Sequence, residues 1–129
     1  MQSNLTWKLL HTLACKINEK KYIENKTKVH NFLENIFNEL NCIYCKVHAK
    51  KYFSDNPNIG DTKDELIHYI FWFHTKVNIK LNKKYYPKSN LIEYENYDIF
   101  EINDKWLNIT PQSGDYTKNF IKNNKDLFI

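Results

Sequence analysis

The amino-acid sequence predicts an all-α protein, and three observations carry that prediction. The 129 residues include only two glycines and three prolines, too few breakers for an all-β meander and few enough for long helices. Apolar side chains recur at helical spacing in successive segments between Leu5 and Leu81. No stretch reads as a strand. At this length one domain is expected, and it can bury a core without help from disulfides.

The first segment, roughly Leu5 to Glu19, sets Leu10, Leu13, Ala14 and Ile17 at helical spacing. Trp7 and His11 sit four apart on an adjoining stripe, so both project from one side. Asn18 to Lys28 is polar and reads as a connector. The second segment, roughly Thr27 to Leu40, carries Val29, Phe32, Leu33, Ile36, Phe37 and Leu40, the cleanest amphipathic pattern in the chain. Asn41 is a good N-cap residue, so a third helix is expected over Cys42 to Phe53. Ser54 to Gly60, with Asn56-Pro57, reads as a turn.

Asp61 or Thr62 then caps a fourth helix from Lys63 to Leu81, with acidic residues in its first turn. Leu66, Ile70, Phe73, His74, Val77 and Leu81 share a face of it, and Asn78 lies four after His74. Tyr86-Pro87 closes the segment. From Lys88 onward Tyr94, Tyr97, Phe100, Trp106 and Phe120 are mixed with polar residues and show no sustained period. Residues 88–129 are therefore expected as an irregular C-terminal extension with short elements, packed on the bundle of residues 1–87 or on a partner.

Composition excludes several functions. No glycine-rich phosphate loop and no GxGxxG occur, so any nucleotide must be held by side chains on helices. The net charge is +4, and all 19 basic residues are scattered lysines. Without arginine for bidentate base or phosphate contacts, a nucleic-acid partner is not expected. No run reaches the apolar length of a membrane span, and Met1 to Lys20 lacks the pattern of a signal peptide. The aromatic fraction, 16%, suits a core, a subunit interface or a planar cofactor. Three cysteines cannot form a disulfide framework, and at least one is unpaired.

Cys42-Ile43-Tyr44-Cys45 is a CxxC at an expected helix N-terminus, where the dipole and free amides stabilise a thiolate. The matching chemistry is thiol–disulfide exchange. The motif alone leaves alternatives: half of a zinc site completed by His48 and His11, a thioredoxin fold, which needs a βαβ pattern this chain lacks, or two incidental buried cysteines. A lone histidine on an apolar face is more often a satisfied core residue than a ligand. The stripe Phe71, Trp72, Phe73 is likewise more often core or interface than cofactor box.

Three blocks taken in order resemble the Erv/ALR sulfhydryl oxidases: Trp7-x-x-Leu10-His11-Thr12-x-Ala14, Cys42-x-x-Cys45-x-x-His48, and His74-x-x-Val77-Asn78-x-x-Leu81-x-Lys83. The resemblance spans Leu5 to Tyr86. It implies a four-helix bundle plus a short fifth helix, a non-covalent FAD, and a CxxC against the flavin ring. It also implies a homodimer, and dithiol oxidation with electrons passed to oxygen, giving hydrogen peroxide, or in some members to cytochrome c.

By position it makes Cys42 and Cys45 the catalytic pair, Cys42 distal and Cys45 flavin-proximal. Trp7 and His11 match the first flavin-contacting pair, and His48 a variable position that often faces the cofactor. His74, Val77 and Asn78 match the segment along the adenine and ribose. Lys83 matches the basic residue near the pyrophosphate, and Tyr86 lies near the following aromatic.

Some positions depart from the family pattern. Thr75 stands where the family usually has Asn, and Phe71 where many members have a cysteine of a structural bridge. No second cysteine pair is present to shuttle electrons, and Cys15, single and next to Ala14, reads as structural. The implied substrate is thus a thioredoxin-like or other dithiol protein acting directly on Cys42–Cys45. The lysine- and asparagine-rich, arginine-free chain looks most like the versions encoded by large DNA viruses, which act in the host cytoplasm during virion assembly. The alternative place is the mitochondrial intermembrane space. The wide apolar face of the second segment predicts dimerisation through the first two bundle helices. The rival from another class is a non-enzymatic helical binding module with a structural Cys/His zinc site.

Overall fold

The structure, a computed structural model, describes residues 3–40 and 42–129. Four main helices form the bundle: α1 (Ser3–Lys16), α3 (Lys26–Asn38), α4 (Ile43–Asp55) and α5 (Lys63–Lys80). Each buries the face that its periodicity marks. Leu9, Leu10, Leu13 and Ala14 of α1 and Val29, Phe32, Leu33, Ile36 and Phe37 of α3 are at most 2% exposed. Ala49 and Phe53 of α4 and Leu66, Ile70 and Phe73 of α5 meet them in one core. No strand occurs among the described residues, and no described helix is long and apolar enough to cross a membrane.

The polar connector contains one more helical turn, α2 (Glu19–Glu24), capped by the Asn18 side chain on the amide of Lys21 at 3.0 Å. Tyr22 of α2 is fully buried, and its hydroxyl donates to the carbonyl of Gly60. One aromatic residue in a polar turn has no periodicity, so only its tertiary partner reveals its burial. Gly60 has φ +109°, and a Cβ there would meet Glu65 Cβ at 2.5 Å. Only glycine fits this turn. Thr62, one of the two expected caps, starts α5: its Oγ1 accepts the Glu65 amide at 3.1 Å, while Glu65 Oε2 accepts the Asp61 amide at 3.2 Å.

The segment beyond residue 87 is more regular than expected. A 3-10 stretch (Lys88–Asn96) leads to α6 (Ile99–Ile109), α7 (Asp115–Asn123) and a closing 3-10 turn (Lys125–Phe128). Ile99, Ile102, Asn103 and Trp106 follow the i, i+3, i+4, i+7 rule, and Thr117, Phe120 and Ile121 repeat it briefly. Two or three turns give too short a pattern to stand out among polar neighbours, and packing on the bundle completes the helices. These residues join the core of α1 and α3 rather than forming a separate one.

Phe120 stacks on Phe32 at 4.2 Å. Part of the apolar face of α3 is therefore covered by α7 of the same chain. Trp106 is fully buried, and its Nε1 donates to Thr6 Oγ1 at 2.9 Å. Trp106→Ala is expected to lower the unfolding free energy by about 3–5 kcal/mol. Urea denaturation checks this, and a loss under about 1 kcal/mol would contradict the packing.

Candidate redox site at the head of α4

Cys42 is itself the N-cap of α4, with the helix beginning at Ile43. Asn41, expected as the cap, lies outside the described residues. The Cys42 sulfur accepts the Cys45 amide at 3.2 Å. All three cysteines are free thiols. The hydrogen bond from the Cys45 side chain, followed by the amides of Cys45 and Tyr44, holds the Cys42 thiol below its ordinary range. Burial, followed by the bond to and the charge of Cys42, pushes Cys45 up to about 11, against the opposing pull of Lys83. Cys42 is thus the more acidic sulfur of the pair and Cys45 the less acidic. Burial also raises the Cys15 thiol.

The pair opens on a narrow cleft with mostly apolar walls. Trp7, Cys42, Cys45, His48 and Val77, all singled out in the sequence, line it together. Leu10, Phe37, Leu40, Phe73 and Lys80 line it as well. The apolar ones had been read as core, and Lys80 carried no signal apart from its place near the end of α5. His48 meets the ring of Tyr44 edge-on at 4.2 Å.

A second cluster adjoins the cleft through Trp7. His74 stacks on Trp7 at 4.0 Å with an 8° interplanar angle, and on Tyr86 at 4.1 Å. His11 Nε2 lies 2.9 Å from His74 Nδ1, so one imidazole donates and the other accepts. Burial, then the charge of His74, lowers His11 to about 3. Burial, then Lys83, lowers His74 to about 4. Tyr94 stacks on His11 at 4.6 Å, and its hydroxyl shares a 2.7 Å hydrogen bond with Tyr86. Tyr94 was missed as a site residue because it lies beyond the boundary expected at residue 87, in a stretch without period.

Asn78 and Lys83 meet differently from expectation. Leu81 ends α5 and Asn82 adopts φ 57°, the left-handed conformation that asparagine tolerates. The Lys83 amide bonds the Asn78 carbonyl at 2.8 Å, and the Asn82 amide that of Ile79 at 3.1 Å. This is a Schellman ending. The Asn78 side chain donates to the Lys84 carbonyl at 3.2 Å, so it ties down the loop that presents Lys83. Asn82 was also missed, although an asparagine just past the last periodic residue is a stop signal.

A cysteine at a helix cap, with its partner one turn in and an aromatic-walled cleft beside both, is an arrangement that can support thiol–disulfide exchange. The comparison with protein families agrees: the family model matches residues 4–98, and the chain belongs to the Erv1/Alr family. That family comprises FAD-linked sulfhydryl oxidases. No curated protein matches the chain.

Proposed function

We propose that this protein is an FAD-dependent thiol oxidase in which Cys42 and Cys45 take electrons from a protein dithiol and oxygen receives them as hydrogen peroxide. The observation that carries the reading is the asymmetric cysteine pair opening on an apolar aromatic cleft. The donor set suits FAD. Trp7, Phe37 and Phe73 offer flat apolar surface to a ring system, and the exposed lysines Lys80 and Lys83 suit a pyrophosphate. The buried Thr75 hydroxyl, at the position where the family usually has asparagine, has no hydrogen-bond partner among the described residues.

In this reading Trp7, His11, Cys45 and His48 would hold the flavin end. His74, Val77 and Asn78 would lie along the adenine and ribose, with Lys83 near the pyrophosphate and Tyr86 beside them. FAD, when bound, supplies the two-electron acceptor for the reduced pair and returns the electrons to oxygen. The chain's own residues perform the exchange. A substrate thiolate attacks the Cys42 sulfur of the Cys42–Cys45 disulfide, and Cys45 leaves and takes a proton. The second substrate thiolate then attacks the substrate sulfur of the mixed disulfide and expels Cys42. A low thiol pKa makes Cys42 the better leaving group for that step. The substrate is released as a disulfide, and both enzyme cysteines are reduced.

Ile43, Tyr44 and Val47 beside Cys42 are 77%, 52% and 58% exposed, which suits contact with a thioredoxin-like or other dithiol protein. The arginine-free, lysine-rich composition supports a role in a viral cytoplasmic disulfide-forming pathway. A homodimer belongs to the same reading, and light scattering at micromolar concentration measures it.

The absorbance spectrum tests the function. The purified protein is expected to be yellow, with stoichiometric flavin released on denaturation as FAD. A colourless, zinc-containing protein would overturn the reading in favour of the binding module. Among the described residues no three His, Cys, Asp or Glu side chains converge as a metal site, so zinc draws no support. Cys15→Ser is expected to keep nearly full dithiothreitol turnover, and a large loss would place Cys15 in the electron path.

A further inference from the structure

Glu39 is the C-cap of α3 and precedes Cys42 by three residues. It is held at three points by the C-terminal segment. Its Oε1 accepts the Gly114 amide at 2.8 Å, its Oε2 accepts the Thr117 hydroxyl at 2.6 Å, and its backbone carbonyl accepts the Gln112 side chain at 3.0 Å. Gly114 is the N-cap of α7 and offers no side chain for capping. The Glu39 carboxylate therefore fills the place of a cap on a neighbouring helix, where the dipole favours a negative charge. The Phe32–Phe120 stack seats α7 against α3. Gly114 and Thr117 lie outside residues 4–98, the part matched to the family, so this bracing comes from sequence particular to the chain's C-terminal portion.

We propose that Glu39 is a positioning residue for the redox pair, and that residues 112–117 clamp it so that Cys42 stays fixed at the cap of α4. The proposal rests on the thiol-oxidase reading for its purpose, but not for its geometry. Exchange requires the Cys42 sulfur to be both presented to an incoming thiolate and held on the Cys45 amide. A short connection from α3 that could swing would lose both. The charge-assisted bonds at the α7 end make Glu39 a fixed point just ahead of that connection. The consequence reaches the chemistry through the cap: if Cys42 frays from the Cys45 and Tyr44 amides, its thiolate loses the bonds that stabilise it.

The test uses the reduced full-length chain and reads the iodoacetamide alkylation rate of Cys42 against pH, by mass mapping. Glu39→Ala is expected to slow alkylation at pH 7 by about tenfold, the change that follows from a thiol pKa raised by about one unit. Thr117→Val should move it in the same direction by less. Glu39→Gln, which keeps one acceptor oxygen, should fall between Glu39→Ala and wild type. If Glu39→Ala does not fold, Thr117→Val and Glu39→Gln carry the test.

Tyr22→Phe serves as the stability control, because it removes a buried hydrogen bond between α2 and the turn before α5. It should leave the alkylation profile unchanged. Wild-type alkylation in Glu39→Ala, or an equal shift in Tyr22→Phe, overturns the positioning role. Lys80 and Lys83, the cations near the pair, are unchanged in every variant. Because alkylation needs neither flavin nor turnover, a failed oxidase assignment would show as a colourless, inactive wild type. A failed clamp would show only in the variants.

Discussion

Replacing Cys42 or Cys45 with alanine is expected to reduce dithiol turnover to background, while the two variants differ in colour. Both lose activity because exchange needs one sulfur to accept the attack and another to leave. With Cys42 gone, Cys45 remains beside the cleft. It also loses two of the causes that raise its thiol, namely the hydrogen bond to Cys42 and the Cys42 charge. Burial still raises it, so its thiolate should appear as pH rises. The flavin-loaded Cys42→Ala protein should therefore develop a broad long-wavelength band that grows with pH. Cys45→Ala should show none, because the proposed assignment makes Cys45 the flavin-proximal sulfur and Cys42 the one that meets substrate. The absorbance spectrum over a pH series settles the order: a band in Cys45→Ala instead reverses the two roles, and a band in neither separates this pair from the flavin.

Acidification is expected to destabilise the fold through the imidazole pair. His11 and His74 are 3% and 7% exposed and bonded to each other, and the fold lowers their pKa values to about 3 and about 4. Both are depressed from 6.5, so the unfolded chain binds protons that the folded chain refuses. Stability is therefore fully present above about pH 6.5 and declines as pH falls toward 4. At pH 5 each imidazole contributes a loss of about 2 kcal/mol, or about 4 kcal/mol for the pair, relative to pH 8. Urea midpoints at pH 8, 6.5 and 5 measure it. His74→Phe keeps an aromatic ring against Trp7 and should show about half the slope. A midpoint that is flat from pH 8 to 5 would mean that the pair is not held neutral.

How legible these features were depends on length and on range. The four bundle helices could be read because each presents three or more turns of pattern, clearest in Val29 to Phe37. The CxxC could be read as redox chemistry because its spacing is local, one helical turn. Trp7, His11 and His74 stood out as polar or planar groups on apolar stripes. Their mutual stacking did not, because His11 and His74 are 63 residues apart and meet only when α1 packs on α5.

The C-terminal portion was read as irregular, although Ile99, Ile102 and Trp106 carry the spacing. A helix of about eleven residues is marginal alone. What makes α6 persist is burial against α1, with Trp106 on Thr6. The same burial places Trp106 and Phe120, part of the aromatic excess, in the chain's own core.

The sequence by itself determined the helical class, the bundle segments, the spacing of the cysteine pair and, through its ordered motifs, the family. These are properties of neighbours along the chain, where periodicity and capping act over one to a few turns. Tertiary structure alone decided that burial raises the Cys45 thiol, that the two histidines share a hydrogen bond, that Tyr94 joins them, and that Glu39 is bound from α7. Each of these depends on burial or on a bond between residues distant in sequence. Desolvation and hydrogen-bond geometry have no value until the helices are packed.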